Sequence, residues 1–266
     1  MSKQLASPRL LHSRAWLLCI LLLPARVQAQ TGAEIMASAD RMNRPRFEMS
    51  TMQMELLDPA GGVLKRELTW HFRNEQGKRT SLMKFTAPAN MQGVGILVIE
   101  EKGVPNAIWH YLPASRNVRR IAAAHRQNRF MGTEFVFEDF EGLKLDKYAF
   151  TLAGSKECAE GGQCHVIEAR ASDKEEMASS SYGKKVFYVD RQSLAIVKTE
   201  LYDKNEKLVK VFEASGWGRL DGYWRPQLQT MRNVREQRVT RLRVIERKLD
   251  PPFEPYYTSQ QYLRSE

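Results

Sequence analysis

Cysteine and histidine are scarce in this chain, three and five among 266 residues. Three cysteines cannot staple a disulfide-dense secreted scaffold. No two of His71, His110, His125 and His165 lie at metal-ligand spacing. Cys158 and Cys164 with the single neighbour His165 fall short of the four ligands of a closed zinc site. Catalytic signatures are missing too. There is no Gly-x-Ser-x-Gly elbow, no Walker loop and no His-Glu-x-x-His. The expectation is a chain with no catalytic residue, no metal and no cofactor. Long apolar runs are also lacking. The longest, Ala15–Leu23, holds nine residues, where a bilayer span needs about 20.

That short run is itself informative. Lys3, Arg9 and Arg14 precede it, Pro24 breaks it, and Val27-Gln28-Ala29 offers small residues at the −3 and −1 positions. This is the three-part pattern of a cleaved secretory leader. Residues 1–29 are therefore expected to be removed, leaving 30–266 as one soluble domain outside the cytoplasm. Cys19 follows Leu18, where a lipid-modification signal needs a small residue, and is read as a discarded leader residue.

The chain is basic, with 41 Lys and Arg against 31 Asp and Glu. Four of the basic residues and none of the acidic ones fall in the leader, so the remainder stays basic. A basic surface suits membrane headgroups or an acidic protein, and export argues against nucleic acid. Only Cys158 and Cys164 survive cleavage, flanking a turn with Gly161-Gly162. In an oxidising compartment they are expected to form a disulfide at a hairpin tip.

Thr31–Met42 is expected to be a short amphipathic helix with Ile35, Ala39 and Met42 on one face, ended by Asn43 and Pro45. Most of the chain beyond Pro45 alternates like strands. Met52, Met54 and Leu56 share one face of Ser50–Leu56; Leu64, Arg66, Leu68, Trp70 and Phe72 share another. Further strands are expected at Ser81–Phe85, Val94–Ile99, Ala107–Leu112, Tyr148–Leu152, Gln163–Arg170, Lys185–Asp190, Leu194–Tyr202, Lys207–Glu213, Tyr223–Met231 and Val239–Arg247. Turn signals such as Asp58-Pro59-Ala60-Gly61-Gly62 separate them. About eleven closely spaced strands imply a mainly β, single antiparallel meander that must curl into an incomplete barrel.

Met52, Met54, Leu68, Trp70, Met83, Phe85, Trp109 and Tyr111 are expected to face one side of that sheet. Methionine adapts to ligands of varied shape, so this face could line a lipid cavity; it could equally be an ordinary filled core. Pro113–Gly142 breaks the rhythm. It carries Arg116, Arg119, Arg120, His125, Arg126 and Arg129, then Glu134, Glu138 and Asp139. A long insertion of this kind is usually functional. Two readings of its arginines stand, a solvated basic face or a docking surface. Three stand for its carboxylates: structural or docking contacts, an ion site, or acid/base work.

Four segments carry a family resemblance: Lys84–Gly95 (KFTAPANMQGVG), Trp109–Pro113 leading to Arg119-Arg120-Ile121, Gly132–Phe140 (GTEFVFEDF), and Gly222–Pro226 (GYWRP). On these the chain resembles the Lol-type lipoprotein-carrier superfamily (LolA-like), in its outer-membrane lipoprotein-sorting-like branch. The resemblance implies an incomplete antiparallel β-barrel wrapped over short helices. It also implies a non-enzymatic, monomeric carrier of lipoprotein acyl chains or another lipid, with transient membrane contact. Members of the branch are often linked to resistance-nodulation-division (RND) type exporters, which implies such a partner. In the superfamily a buried arginine helps hold the lid; no motif marks its position here, and Arg66 is one candidate. Related folds serve as sensors of mislocalised lipoproteins, so a sensor or docking module is the alternative. A hydrolase using Glu134, Glu138 and Asp139 is the other.

Overall fold

The computed structural model describes residues 30–265, so the expected leader lies outside the described residues. The first helix forms as α1, Gly32–Met42. The Thr31 hydroxyl accepts from the Glu34 N–H at 3.2 Å, and the Glu34 carboxylate accepts from the Thr31 N–H at 2.8 Å. This reciprocal cap satisfies two donors the first turn would leave free. Ile35, Met36 and Ala39 form its buried face.

Fifteen strands follow among the described residues. Before the insertion come β1 Phe47–Leu57, β2 Val63–Glu75, β3 Lys78–Ala87, β4 Gly95–Glu101, β5 Val104–Leu112 and β6 Asn117–Arg120. After it come β7 Tyr148–Glu157, β8 Gln163–Ala171, β9 Lys184–Asp190, β10 Ile196–Tyr202, β11 Leu208–Ser215, β12 Gly218–Leu220, β13 Tyr223–Arg225, β14 Leu228–Asn233 and β15 Val239–Leu249. Two more short helices appear, α2 Lys174–Ser179 and α3 Gln260–Arg264. The chain divides more finely than its alternation implies. The expected strand Tyr223–Met231 breaks at Pro226, which has no N–H for a ladder, and its first part pairs with β12 as a separate hairpin. Residues 117–120, expected to belong to the irregular insertion, form β6, so the insertion as folded runs over 121–147, between β6 and β7.

Thirteen strands make one antiparallel sheet in the order β6-β5-β4-β3-β2-β1-β15-β14-β11-β10-β9-β8-β7. It is two meanders, not one. They join at the centre, where β1 pairs with β15 and Met54 lies opposite Leu242. A register shift at Thr51/Met52 marks this seam, and such bulges bend a strand and strengthen its twist. The sheet does not close. Its two edges, β6 and β7, are consecutive in sequence and connected by the insertion.

The inner face of the sheet carries Met52, Met54, Leu68, Met83, Phe85, Ile96 and Ile108 in one buried cluster with Phe130, Phe135 and Phe137 of the insertion. α1 covers the β7–β9 end of the same face, packing on Tyr148, Ile167, Ala169 and Phe187. On the outer face α3 lays Leu263 against Leu82, Leu97 and Tyr111. Trp109 and Tyr111 therefore do not join Met52, contrary to the expected grouping. β5 presents Ile108 and His110 inward, and a shift of one residue moves every side chain to the other face.

Cys158 and Cys164 are bonded across the β7–β8 turn, with Cα atoms 5.4 Å apart. Closing so short a loop is worth about 2 kcal/mol in the chain-entropy account. The double variant C158S/C164S should lose that much in urea unfolding, with the fold retained. An unchanged midpoint would remove the disulfide from the list of stabilising features.

Candidate functional site

The insertion crosses the inner face and is fastened at several points. Arg66 reaches it from β2: Nη1 donates to the Met131 carbonyl at 2.8 Å, and the guanidinium lies 5.4 Å from the Phe85 ring. Met131 and Gly132 both have positive φ, 48° and 75°, so the chain reverses tightly here. Thr240 accepts from the Glu134 N–H at 2.9 Å, and Lys210 donates to the Glu134 carbonyl at 2.7 Å. Phe130 sits at the centre, fully buried. Its ring centroid lies 5.9 Å from Phe85, 5.7 Å from Phe137 and 5.1 Å from Phe140.

Glu134, Glu138 and Asp139 of the insertion point inward. Glu134 accepts from Asn233 at 2.9 Å and pairs with Arg238 at 3.0 Å. Glu138 accepts from the Ser180 hydroxyl at 2.7 Å and the Ser181 N–H at 2.6 Å. Asp139 accepts from the Val136 N–H at 2.8 Å and the Tyr182 hydroxyl at 3.0 Å. In Gly132–Phe140 the aromatic residues fill the face and the acids clip the segment to its surroundings. Arg116, Arg119 and Arg120 lie elsewhere, exposed on or beside edge strand β6. The expected docking group thus splits into a buried acidic half and an exposed basic half.

Between insertion and sheet lies a cavity of about 320 Å³. Of the expected lining residues, Met52, Trp70 and Met83 reach it, joined by Ile96, Val98, Leu201, Phe212, Met231 and Leu242. Met54, Leu68 and Phe85 are packed in the core beneath. Residues from strands at both ends of the sheet line this one space, which requires the sheet to curl.

One end of the cavity is polar. Arg126 donates from Nε to Glu141 at 2.8 Å and from Nη1 to Glu176 at 3.2 Å and to Ser179 at 2.8 Å. Lys144 bridges the same two acids, 3.1 Å from Glu141 and 2.9 Å from Glu176. Burial alone would raise the Glu176 pKa, but Lys144 and Arg126 outweigh it and hold it near 2. Asp139 moves the other way. Its burial dominates the attraction of Lys210, and its pKa is raised from 3.8 to about 6.

Most of this polar end was missed in the sequence. The signal existed at Lys185, which alternates in phase with Phe187 and Val189 and so had to share their inward face. Arg126, Glu141, Lys144 and Glu176 come from the insertion and α2, where no periodicity announces who meets whom. Among the described residues no group of three His, Cys, Asp or Glu could hold a metal ion, and no helix is long and apolar enough to cross a membrane.

The Asp139 shift has a sign that can be tested. The folded state holds the proton more tightly than the unfolded chain, so folding is penalised once the carboxyl must ionise. The penalty is absent below pH 4, grows between pH 4 and 6, and is complete above. For a shift of this size it amounts to about 2–3 kcal/mol. D139N stays neutral, so its denaturation midpoint should gain on the wild type as pH rises from 4 to 7. Parallel pH profiles would show that Asp139 titrates normally.

A family model described as an uncharacterized protein-like family matches residues 77–265. No curated protein matches the chain. Among solved structures, an outer membrane lipoprotein-sorting protein domain from Vibrio parahaemolyticus is 25% identical with a TM-score of 0.81. That match covers 88% of this chain and 98% of the other. A DUF1329 family protein from Desulfovibrio piger is 25% identical with a TM-score of 0.80, over 87% and 97% of the two chains. A LolA superfamily protein from Nitrosomonas europaea shares the fold at 17% identity with a TM-score of 0.66, over 88% and 100%.

Proposed function

We propose that this chain, which belongs to the family whose model matches residues 77–265 and has a LolA-like fold, is an exported, single-domain periplasmic carrier that shelters the acyl part of a lipoprotein or another lipid. The observation that carries this reading is the cavity of about 320 Å³ between a Met-rich sheet face and a pinned insertion. Burying an acyl chain gains about 0.8 kcal/mol per methylene, so an apolar slot of this kind retains a tail with no catalytic group. The insertion is the movable wall. At its Met131–Glu134 turn the backbone is held by single hydrogen bonds to Arg66, Lys210 and Thr240, contacts that an entering tail can break one at a time while the Arg126 end stays anchored. Arg66 thereby takes the part of the lid-holding arginine. An RND-type exporter is the partner this reading implies.

The test is mass spectrometry of an organic extract from protein purified out of the periplasm without detergent. Stoichiometric lipid or acylated peptide is expected. A protein that comes out empty and takes up no fluorescent fatty acid would overturn the carrier reading.

A second reading rests on Arg116, Arg119 and Arg120. They are exposed at an unpaired sheet edge and make no ion pair among the described residues. A docking or sensor module would use them to hold an acidic partner. Charge reversal at Arg119 and Arg120 would then abolish partner capture while lipid content stays unchanged.

A further inference from the structure

Lys185 stands apart from the other charges at the polar end of the cavity. Arg126 and Lys144 are spent on Glu141 and Glu176. Glu138 is taken up by Ser180 and Ser181, and Asp139 by Tyr182 and the Val136 N–H. Lys185 lines the same cavity, yet it makes no ion pair and no hydrogen bond among the described residues. Its Nζ lies 5.1 Å from the Tyr148 ring centroid and 5.3 Å from that of Tyr182. The hydroxyls of those two tyrosines are directed elsewhere, to Glu176 and Asp139. The ring faces steady the cation but leave its three N–H donors without acceptors. Burial works against the charge, but the negative potential of Tyr148, Glu138, Asp139 and Glu176 outweighs it, and the pKa is raised. The ammonium therefore stays charged and open to an incoming acceptor.

The rest of the cavity fits one amphiphile. Its volume is at the small end of the range for small-molecule sites, about 300–1,000 Å³. Met52, Trp70, Met83 and Met231 make the apolar wall, and the free cation lies on β9, at the polar end.

We propose that the cavity takes a single-chain lipid with an anionic head, a carboxylate or a phosphate, whose head is bound by Lys185 and whose tail lies along Met52, Trp70, Met83 and Met231. This rests on the carrier reading and narrows it. A charge-assisted hydrogen bond in a half-buried site is worth a factor of about ten or more in affinity. That factor separates an acid from its uncharged analogue.

The experiment is displacement of a fluorescent fatty acid from the purified full-length mature protein by oleate, oleyl phosphate, oleyl alcohol and dioleoyl phosphatidate. Oleate or oleyl phosphate should bind about tenfold or more tighter than the alcohol. Whichever of the two is tighter identifies the head. In K185M the ratio of acid to alcohol affinity should fall to near one, and in K185R it should persist. Equal affinity of the wild type for acid and alcohol, or a preference that survives K185M, overturns the inference and leaves the carrier reading standing. Phosphatidate competing as well as the single-chain acids overturns the one-chain part. Binding of none of the four overturns both the inference and the carrier reading.

Discussion

Replacing Arg126 by methionine is expected to cost about 3–5 kcal/mol of folding stability, the range for removing one partner from a buried charge group. The Arg126 side chain is 10% exposed, and the carboxylates around it are more deeply buried, Glu138 at 1%, Glu141 at 2% and Glu176 at 6%. Methionine keeps the stem and deletes the head, so packing is conserved while Glu141 and Glu176 keep Lys144 as their cationic partner, with the neutral donors Asn106 and Tyr148 beside it. The Glu176 carboxyl, now held near 2, should titrate markedly higher. Arg126 sits in the insertion, whereas Glu176 and Ser179 belong to α2, so the loss should be localised. Hydrogen exchange over residues 121–147 should speed up more than exchange in β1, β2 and β15. A cost below 1 kcal/mol with unchanged exchange would mean that the insertion is held without this hub.

Phe130→Ala should have an effect of the same size with a different readout. Phe130 is fully buried and its ring meets Phe85, Phe137, Phe140 and His110. Truncating a core phenylalanine typically costs about 3–5 kcal/mol, part of it for the space left behind. Here that space adjoins the existing cavity, near Phe135 and Phe140, which line it. A fluorescent apolar probe should therefore bind F130A more tightly, or in greater number, than the wild type, while the midpoint in urea falls. Lower stability with unchanged probe binding would mean that the surrounding rings collapse into the gap.

The strands are legible in the sequence wherever apolar and polar residues alternate, as in β1, where buried Met52, Met54 and Leu56 alternate with half-buried Thr51, Gln53 and Glu55. β5 was placed but turned over. Trp109 and Tyr111 are apolar enough to be read as core, and they are; the core they join lies under α3 on the other face. Nothing local distinguishes two apolar faces of one strand when both are covered. The insertion stands out in the sequence because alternation stops there, and structural contacts are one reading of its carboxylates, but the sequence does not name the groups they meet. Their partners, Asn233, Arg238, Ser180 and Tyr182, are 40 to 100 residues away or more, beyond the reach of any spacing rule. The same applies to the central seam, since hairpins have turns to announce them and the pairing of β1 with β15 has none.

That seam constrains the order in which the molecule can assemble. A chain delivered from its N-terminus presents β1 first and β15 almost last, separated by nearly two hundred residues of loop to be closed. Until Leu249 arrives, β1 has β2 on one side and an open row of amides on the other, and β14 is equally exposed. Each half-sheet is then a free template for pairing with a neighbouring chain. The final strand thus acts as a keystone whose late arrival joins two halves, and a chain stalled before Val239 is left with two sticky edges in the middle of its own sheet.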